Sequence, residues 1–433
     1  MPFQRAAVVY GVNTNRKRTL ISDPPGLGKT CESIMLMNTS DIDNYLIISP
    51  ASLLDNGKRE LNAWSTSKFA PHIYTPGTRT PKNCVLILSY GLCSNVTVLQ
   101  KIMKNFNFHG LIVDESHFLK SMDAARTQNI LGQNGPFDRA DVIACLSGTP
   151  IVNKPVEIWP IANRLQPGLL GKNFKEFGEH FANAKYNQFS KQIEYVGSRN
   201  EEELGRLLRS SCMVRREKST VLKDLPDKSR RAIYLKPDGV ADDLVRQEHT
   251  LYDNFLATTK LTPDRVDSAM RVRVQLAALK APQVLEYCRM VLESEHKLLI
   301  FAYHRILLTE LIIGLATYNV RALTGSTSAK DRQQRVDEFQ TDPDVRVFIG
   351  CIPAAGVGLT LTAASHVVMA EASWTPGECL QAEDRSHRIG QKNHVQVDYL
   401  IYPNSVDERV LKVIGQKNAQ IGLVLDSPEC FRA

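Results

Sequence analysis

The sequence predicts an α/β fold made of two parallel-sheet lobes in tandem. Short apolar runs of strand length alternate with longer polar or amphipathic stretches, which are long enough for helices. The apolar runs are continuous, as is expected for strands that are covered on both faces of a parallel sheet. This rhythm stops near residue 150 and returns near residue 297, so the predicted strands fall into two sets.

Ten apolar runs predict the strands of the two lobes. The runs of the first lobe are residues 19–22, 45–50, 85–90, 110–114 and 142–148. The runs of the second lobe are residues 297–303, 319–325, 345–351, 366–372 and 395–401. The stretches between consecutive runs are the expected helices.

The segments outside these runs predict how the chain is divided. Residues 160–215 are charged and helical in pattern, which predicts a mainly helical insertion in the first lobe. The Lys-, Asp- and Pro-rich segment 218–231 is typical of a linker. We therefore expect a first lobe over residues 1–217 and a second lobe over residues 232–433. The second lobe is expected to begin with a helical lead-in and to end in a brace-like C-terminal helix capped by Ser405.

The composition is that of an ordinary globular protein. Of 433 residues, 43% are hydrophobic and 23% are charged. No apolar run approaches the length of a membrane span, and the N-terminus lacks the apolar core of a secretory signal. Nine scattered cysteines without a C-x-x-C pair are unlike a disulfide framework or a zinc module. We therefore expect an intracellular protein, either cytoplasmic or nuclear.

The charge of the chain is unevenly distributed. Residues 1–230 carry 30 Lys and Arg against 21 Asp and Glu, a net charge of +9, whereas residues 231–433 carry 23 against 25, a net charge of −2. A basic half can attract a polyanion such as DNA. Charge alone is a weak indication, because many basic proteins never bind nucleic acid.

The stretch ISDPPGLGKT resembles a phosphate-binding loop of the pattern G-x-x-x-x-G-K-[ST], although Asp23 stands where the first glycine belongs. It follows a predicted strand and precedes a predicted helix, which is the context that the motif requires. Gly26 and Gly28 would let the backbone close around phosphate oxygens. Lys29 would reach the β- and γ-phosphates and Thr30 would bind Mg²⁺, so ATP and magnesium are the expected cofactors. The alternative is a glycine-rich corner between a strand and a helix.

Two further segments place polar residues at predicted strand ends. The run GLIVDESH ends in Asp114 and Glu115, of which one can hold Mg²⁺ while the other orients the attacking water. His117 follows and could link this site to the other lobe. In CLSGTP, Ser147 and Thr149 could hydrogen-bond to the carboxylate pair. The alternatives are a surface loop for the first segment and a simple turn for the second.

These three motifs in this order, followed far downstream by AEDRSHRIGQ, resemble superfamily 2 helicase-like ATPases. More narrowly, they are similar to Swi/Snf-type double-stranded-DNA translocases, whose phosphate loop also begins with an acidic residue, as Asp23 does here. The sequence D-E-S-H, the segment FGEHFANAKYNQ and the ending TLTAASHVV resemble the annealing-helicase branch of that family. The resemblance implies two RecA-like lobes that close together on Mg·ATP and double-stranded DNA, branched or forked DNA included, with the protein acting as a monomer.

The resemblance also implies roles for individual residues. Arg385 and Arg388 stand three residues apart, which predicts that they lie on one face of a helix. They would meet the γ-phosphate charge as catalytic residues when the lobes close. ATP-binding residues would include Gln4, because FQRAAV resembles the adenine-recognising Q motif of the family. They would also include Arg5, Leu27 and Gly358 beside the phosphate loop, and Gln381 would couple the two lobes. Contacts with DNA are expected from Ser49, Pro50, Ser89, Tyr90, Gly325 and Gly356. For the arginines, surface charges are the alternative.

The motifs favour a motor that moves along duplex DNA and remodels or re-anneals it, or displaces bound proteins. Two alternatives remain at this stage. The first is a helicase that separates strands, although no separation wedge is recognisable in the sequence. The second is a nucleotide-gated DNA-binding module with little turnover, which the complete set of predicted catalytic residues argues against. Little base specificity is expected, because duplex tracking relies on phosphate contacts.

Overall fold

The computed structural model describes residues 1–13, 17–67, 70–151, 154–187, 192–257, 263–355, 359–373, 375–412 and 414. These residues form two compact units, and the chain passes from the first to the second between Lys223 and Asp224. The boundary lies within the segment 218–231 that was predicted as a linker. Within the described residues, no helix combines the length and the apolar character that a membrane crossing requires.

Most strands of the first unit form one parallel sheet. The strands are β1 (Arg18–Ile21), β2 (Tyr45–Ser49), β3 (Pro71–Ile73), β4 (Val85–Ser89), β5 (Gly110–Val113), β6 (Val142–Leu146), β7 (Asn183–Asn187), β8 (Gln192–Val196) and β9 (Met213–Val214). The sheet has the order β3-β4-β2-β5-β6-β1-β9, and each neighbouring pair runs parallel. The carboxyl ends of β1, β5 and β6 therefore lie side by side at one edge of the sheet.

Helices cover both faces of this sheet. They span Pro2–Asn13, Lys29–Asn38, Leu54–Trp64, Tyr90–Cys93, Val96–Asn105, Ala125–Leu131, Pro136–Arg139, Trp159–Leu165, Phe174–Phe181, Glu201–Ser211 and Lys218–Val221, with 3-10 turns at Ala51–Leu53, Ser116–Leu119 and Pro155–Ile158. Alternate strand residues point to opposite faces, so Leu20 packs in one core cluster and Ile21 in the other. This two-sided burial explains the continuous apolar runs in the sequence.

The insertion of the first unit contains a β-hairpin that the sequence analysis did not predict. Strands β7 and β8 pair antiparallel within the segment 160–215, which was expected to be mainly helical. The helix Phe174–Phe181 ends just before this hairpin begins. The hairpin forms because its apolar residues alternate, so Tyr195 can pack edge-on against the Phe174 ring at 5.3 Å between centroids.

The second unit is built around a second parallel sheet. Its strands are β10 (Lys228–Tyr234), β11 (Leu298–Ala302), β12 (Arg321–Leu323), β13 (Val347–Cys351), β14 (His366–Met369) and β15 (Val395–Ile401). Their order is β10-β15-β14-β11-β13-β12, again with parallel neighbours throughout. Each of the ten predicted runs contains one strand, and the prediction of two parallel-sheet lobes is confirmed.

The helices of the second unit include the predicted lead-in. They span Gly239–Ala257, Pro263–Ser294, Arg305–Gly314, Ala329–Thr341, Ile352–Ala355 and Pro376–Glu383, with a 3-10 turn at Ala316–Tyr318. Residues 406–412 begin the predicted C-terminal helix, and its continuation from residue 415 lies outside the described residues. Strand β10 occupies the second half of the predicted linker. Its charged residues are compatible with a strand because Arg231 forms an ion pair with Asp398 of the neighbouring strand β15.

Candidate active site

The loop after β1 has the backbone geometry of a phosphate-binding loop. Gly26 and Gly28 adopt left-handed φ angles of 92° and 87°, and Gly28 directly precedes the helix Lys29–Asn38. A Cβ atom at Gly28 would lie 2.6 Å from the Nε2 atom of Gln4. The left-handed conformation favours glycine at this position, because a side chain rarely adopts it. The helix N-terminus leaves backbone N–H groups available for an anion.

Lys29 lies in an acidic environment at the start of this helix. Its Nζ atom donates a hydrogen bond to the backbone carbonyl of Asp23 at 2.8 Å. Burial lowers the pKa of Lys29, while the negative charges of Glu115, Asp23, Asp114 and Glu32 oppose that shift. An ammonium group held among four carboxylates is a suitable partner for a polyphosphate that carries magnesium.

Asp23, which replaces the first glycine of the usual pattern, is fully buried. Its Oδ1 atom accepts hydrogen bonds from the backbone N–H of Arg216 at 2.9 Å and from its Nε at 3.2 Å, and its other oxygen contacts the same guanidinium. Arg216 also donates to Glu32 at 2.5 Å. Burial and the nearby Asp23 raise the pKa of Glu32 to about 8, against the opposing effect of Arg216. Asp23 thus anchors the loop to a second segment of the chain.

The carboxylate pair lies at the carboxyl end of β5. Strand β6 lies between β5 and β1, the strand that leads into the phosphate loop. Asp114 accepts a hydrogen bond from the Ser49 hydroxyl at 3.1 Å through Oδ2, and from the backbone N–H of Glu115 at 3.0 Å through Oδ1. Burial, followed by repulsion from Glu115, raises the pKa of Asp114 to about 7. Both effects favour a bound cation, because a cation neutralises the charge that burial penalises.

Glu115 is held in a left-handed backbone conformation with φ of 49°. This conformation is uncommon for a residue with a side chain and is often found at active sites. Its carboxylate lies 3.3 Å from Nδ1 of His117, which in turn lies 3.0 Å from the Ser147 hydroxyl. Ser147 also accepts a hydrogen bond from the backbone N–H of Thr149 at 3.2 Å. Ser147 was expected to bond to the carboxylates directly, but the contact passes through His117.

Two residues expected to contact DNA are instead buried beneath the carboxylate pair. Tyr90 is 5% exposed, and its hydroxyl donates to the carbonyl oxygen of Asp114 at 2.7 Å. Ser49 is 4% exposed and its hydroxyl is directed to Asp114. A direct DNA contact by either side chain is therefore not supported, because both side chains are already engaged in the core. Both residues support the position of Asp114 instead.

The remaining predicted first-unit residues lie near this edge of the sheet or on the surface. Ser89 accepts a hydrogen bond from the backbone N–H of Leu92 at 3.4 Å and so caps a short helix. Pro50 and Leu27 are buried, Thr30 is half-buried, and Arg5 is exposed. Gln4 donates from Nε2 to the carbonyl of Leu27 at 3.2 Å, which places it against the phosphate loop.

In the second unit, Arg385 and Arg388 do not lie on a helix, contrary to expectation. The helix Pro376–Glu383 ends before both, and they occupy the turns that follow. The backbone leaves the helix there because the Gln391 side chain donates to carbonyls in the loop, including that of Ala364 at 3.0 Å. Arg385 is 5% exposed, and Arg388 donates from Nη1 to a backbone carbonyl at 2.7 Å.

The structure describes two of the other predicted second-unit residues, Gln381 and Gly325. Gln381 lies within the helix Pro376–Glu383 and is half-buried, and Gly325 is exposed with open space around it. Gly356 and Gly358 lie outside the described residues. The predicted contacts of Gly358 with ATP and of Gly356 with DNA therefore stay predictions.

Sequence reasoning missed the contribution of a pair of arginines that follow β9. Arg215 donates from Nη1 to the carbonyls of Ser22 at 2.6 Å and Gly148 at 3.2 Å, so it joins the ends of β1 and β6. Arg216 binds Asp23 as described above. The signal in the sequence was two consecutive arginines directly after an apolar pair, Met213–Val214. They stand in a basic segment that resembles the family's connection between the lobes, with a solvated charge run as the alternative.

Comparison with known families matches nearly the whole chain. The model of the SNF2-related domain matches residues 3–280, and the model of the helicase conserved C-terminal domain matches residues 280–390. The first of these covers well over half of the chain and includes the phosphate loop and the carboxylate pair. The second covers Arg385 and Arg388.

Curated relatives are similar along the same length. The chain is 34% identical over 445 residues to the DNA annealing helicase and endonuclease ZRANB3 of Homo sapiens, across 98% of this chain and 40% of that protein. It is 32% identical to the Caenorhabditis elegans homolog of SWI/SNF-related matrix-associated actin-dependent regulator of chromatin subfamily A-like protein 1, across 100% of this chain and 62% of that protein. The chain thus spans less than two thirds of the length of these relatives.

Among solved structures, the chain is similar to a Sulfolobus solfataricus SWI2/SNF2 ATPase core in complex with dsDNA. The identity is 22%, and the match covers 97% of this chain and 91% of that chain with a TM-score of 0.44. A score at that level does not by itself establish a shared arrangement.

Proposed function

The chain belongs to the SNF2-related family, and from that premise we propose that it is an ATP-driven motor that moves along double-stranded DNA. The family expectation drawn from the motifs is confirmed by the domain matches. The activity is a proposal for this chain, in which ATP hydrolysis is coupled to remodelling or re-annealing of DNA, or to displacement of bound proteins. Duplex DNA, forked or branched forms included, is the proposed partner, and we propose that a single copy inside the cell acts on it.

The observation that carries this proposal is the convergence of three strand ends in the first unit. The loop after β1 supplies Lys29, the turn after β5 supplies Asp114 and Glu115, and the turn after β6 supplies Ser147. Ligands of open α/β sheets bind at the carboxyl ends of the strands. A lysine at a helix N-terminus beside two carboxylates is the set of groups that nucleotide hydrolysis requires.

The residues present fit both expected cofactors. The helix that begins at Lys29 directs its N-terminal backbone N–H groups to the loop, where they can bind phosphate oxygens, and Lys29 supplies the counter-charge. Thr30 and Asp114 would hold Mg²⁺, which binds proteins through one or two oxygen ligands and completes its shell with phosphates and water. When bound, the metal neutralises charge on the phosphates. Burial and the nearby Glu115 raise the pKa of Asp114, because both disfavour its negative charge. A bound cation would neutralise that charge.

In the proposed mechanism, the residues of the first unit position the reactants. Lys29 holds the β- and γ-phosphates, and Asp114 keeps the metal ligand position through its hydrogen bond from Ser49. Glu115 orients the water whose oxygen attacks the γ-phosphorus, and accepts the proton that this water releases. The bond from the γ-phosphorus to the bridging oxygen breaks, so ADP and phosphate are the products. His117 supports the orientation of the Glu115 carboxylate.

The roles of Arg385 and Arg388 remain predictions that rest on the family. Arginines of this kind can stabilise charge that develops on a transferred phosphoryl group. Both residues lie in the turns after the helix Pro376–Glu383, and Arg388 donates from Nη1 to the backbone carbonyl of Leu359 at 2.7 Å. Their contribution is therefore best tested by kinetics.

The proposed function is tested by measuring ATP hydrolysis without DNA and with plain duplex, forked and single-stranded DNA. We expect duplex and forked DNA to stimulate the rate and single strands to do so weakly. Lys29→Ala should abolish hydrolysis, because Lys29 supplies the positive charge at the phosphates. Lys175→Ala, which changes an exposed lysine on the surface helix Phe174–Phe181, is the matched control. Hydrolysis by the Lys29→Ala protein at the wild-type rate would refute the site assignment.

The other proposed activities are separated by two further measurements. Displacement of a labelled strand would favour a strand-separating helicase, whereas translocation without displacement favours the duplex motor. DNA binding is expected to weaken steeply between low and physiological salt, because phosphate contacts release counterions. ATP binding with negligible turnover on every DNA would favour a nucleotide-gated binding module.

A further inference from the structure

Arg216 joins three separate elements of the first unit although it lies at the end of that unit in the sequence. It is 6% exposed. Its guanidinium donates to the carboxylates of Asp23 in the phosphate loop and Glu32 in the helix that follows, and to the backbone carbonyl of Phe3 in the N-terminal helix. The mechanism proposed above gives Arg216 no role.

The contact with Asp23 connects Arg216 to the phosphate-binding lysine. The backbone and side chain of Arg216 together donate three hydrogen bonds to the Asp23 carboxylate. The backbone carbonyl of the same aspartate accepts the hydrogen bond from Lys29 Nζ at 2.8 Å. The position of Arg216 therefore fixes the residue that holds Lys29.

The contact with Phe3 connects Arg216 to Gln4. The guanidinium carbon lies 5.0 Å from the centre of the Phe3 ring, within the range of a cation–π interaction. The next residue, Gln4, donates to the carbonyl of Leu27, and its Nε2 atom closely approaches Gly28. The N-terminal helix is thus held against the phosphate loop from two sides, by Gln4 directly and by Arg216 through Phe3.

Only arginine can make all these contacts at once. Its planar group carries five N–H donors in a fixed geometry, whereas a lysine ammonium offers three donors from a single atom. Asp23 and Glu32 are both fully buried, and each needs a compensating charge at that site. A lysine at position 216 would keep the charge and lose the simultaneous hold on the loop and on Phe3.

We propose that Arg216 is a positioning residue that fixes Gln4 relative to Lys29 and so sets the preference for adenine nucleotides. This inference rests on the proposed function, in which Lys29 binds the phosphates, and on the predicted role of Gln4 in recognising the adenine base. Arg216 itself touches neither group of the nucleotide. It acts by holding the N-terminal helix, which carries Gln4, in a fixed position relative to the phosphate loop.

The test compares kcat/KM for ATP and for GTP in the wild type and in Arg216→Lys. We expect the ratio of the two values to fall about tenfold in the variant, the size of effect that loss of a charge-assisted hydrogen bond produces. A purely structural loss would lower both values together and leave the ratio unchanged. Arg231→Lys is the matched control, because Arg231 makes a bidentate contact with Asp398 in the second unit, and it should keep the wild-type ratio.

A second variant covers the case in which Arg216→Lys does not fold. Phe3→Leu removes the ring beside the guanidinium, while Asp23 and Glu32 keep their contacts with Arg216. Position 3 is half-buried and should accept the smaller apolar side chain. The ratio should fall in the same direction, and the double variant should be no less selective than Arg216→Lys, because both changes act on one contact. An unchanged ratio in either single variant that folds, or additive effects in the double variant, would overturn the inference.

The two proposals fail in different ways. A wild-type protein that hydrolyses neither nucleotide on any DNA would overturn the proposed function and this inference with it. A wild-type protein that hydrolyses ATP with DNA stimulation, but retains its ratio in Arg216→Lys, would overturn only the inference. A wild-type protein that hydrolyses ATP and GTP equally well would also overturn it.

Discussion

The Nδ1 atom of His117 lies 3.0 Å from the hydroxyl oxygen of Ser147, and this contact joins the turns that follow strands β5 and β6. His117 also lies 3.3 Å from the Glu115 carboxylate. A change in the turn after β6 can therefore alter the orientation of the acid proposed to position the attacking water. The neighbouring Thr149 donates its backbone N–H to the same hydroxyl, which fixes the Ser147 rotamer.

Ser147→Ala should lower kcat about tenfold with little change in KM. The substitution removes the partner of His117 and so loosens Glu115, while Lys29 and the phosphate loop keep their contacts. Steady-state ATPase measurements with saturating duplex DNA check this expectation. Ser210→Ala, on the exposed face of the helix Glu201–Ser211, is the control. A rise in KM at constant kcat would show that Ser147 acts in binding.

Glu115→Gln should bind Mg·ATP but hydrolyse it at least about 10² times more slowly. The amide retains the size of the side chain but cannot accept a proton from water. Asp114 retains its hydrogen bond from Ser49, so the metal ligand is preserved. Binding of a fluorescent ATP analogue and single-turnover hydrolysis separate the two steps. If binding and hydrolysis were lost together, Glu115 would have a role in holding the nucleotide.

Tyr90→Phe should destabilise the first unit by about 1 kcal/mol and leave the affinity for duplex DNA unchanged. The variant loses the hydroxyl that donates to the Asp114 carbonyl in the core. Urea unfolding and a DNA titration at fixed salt measure the two quantities. Tyr186→Phe, at a 63% exposed position in the hairpin, should change neither. Weaker DNA binding at unchanged stability would restore the sequence-based expectation of a DNA contact.

Arg388→Ala should leave ATP binding nearly intact and remove most of the DNA-stimulated rate, since an arginine of this type can contribute about 10³ in turnover. Basal and stimulated ATPase rates are compared in the wild type and the variant. Arg305→Ala changes an exposed arginine at the start of the helix Arg305–Gly314 and serves as the control. A full DNA response in Arg388→Ala would assign Arg388 to the structure of the turn, where it donates to Leu359.

Asp398 gives the second unit a predictable response to acid. Burial alone would raise its pKa, but hydrogen bonds from Arg231, His366 and Tyr287 hold the pKa well below its ordinary value of 3.8. A depressed folded-state pKa stabilises the fold fully above the ordinary value, and this contribution is lost as the pH falls through and below it.

Asp398→Asn should therefore be less stable than the wild type at neutral pH, and the difference should narrow only below about pH 4. Thermal unfolding across a pH series measures it, with Asp242→Asn at an exposed helix position as the control. A difference that is independent of pH would mean that the carboxylate charge is not responsible.

The sequence predicted the parts of the structure that depend on local pattern. Continuous apolar runs identified ten of the thirteen strands that the described residues form in the two parallel sheets, because both faces of each sheet are buried. Strands β3, β9 and β10 were not identified. Asp114 and Ser147 could be found because each stands at the end of an apolar run, and Lys29 because its glycine-containing loop follows the first run. Parallel strands bring their carboxyl ends to one edge of the sheet. The position of each residue relative to a predicted strand was therefore enough to predict its place in the fold.

The parts that could not be predicted depend on contacts between distant segments. Arg216 and Asp23 are 193 residues apart, and no local pattern distinguishes a buried arginine from a solvated one. Tyr90 follows a strand as a surface residue could, yet its ring is buried against Phe118 at 5.2 Å between centroids. The turn that carries Arg385 has helical spacing in the sequence, and tertiary hydrogen bonds from Gln391 override it.

The short strand β9 makes completion of the first unit a late event in the life of the nascent chain. Its two residues pair with Leu20 and Ile21 of β1, the strand that leads into the phosphate loop. During synthesis, β1 therefore leaves the ribosome long before β9, which pairs with its outer edge, has been made. Until then β1 presents unpaired backbone groups, which are a template for pairing with another chain. A polypeptide that stops short of Met213 would keep that open edge, and aggregation would be its expected fate.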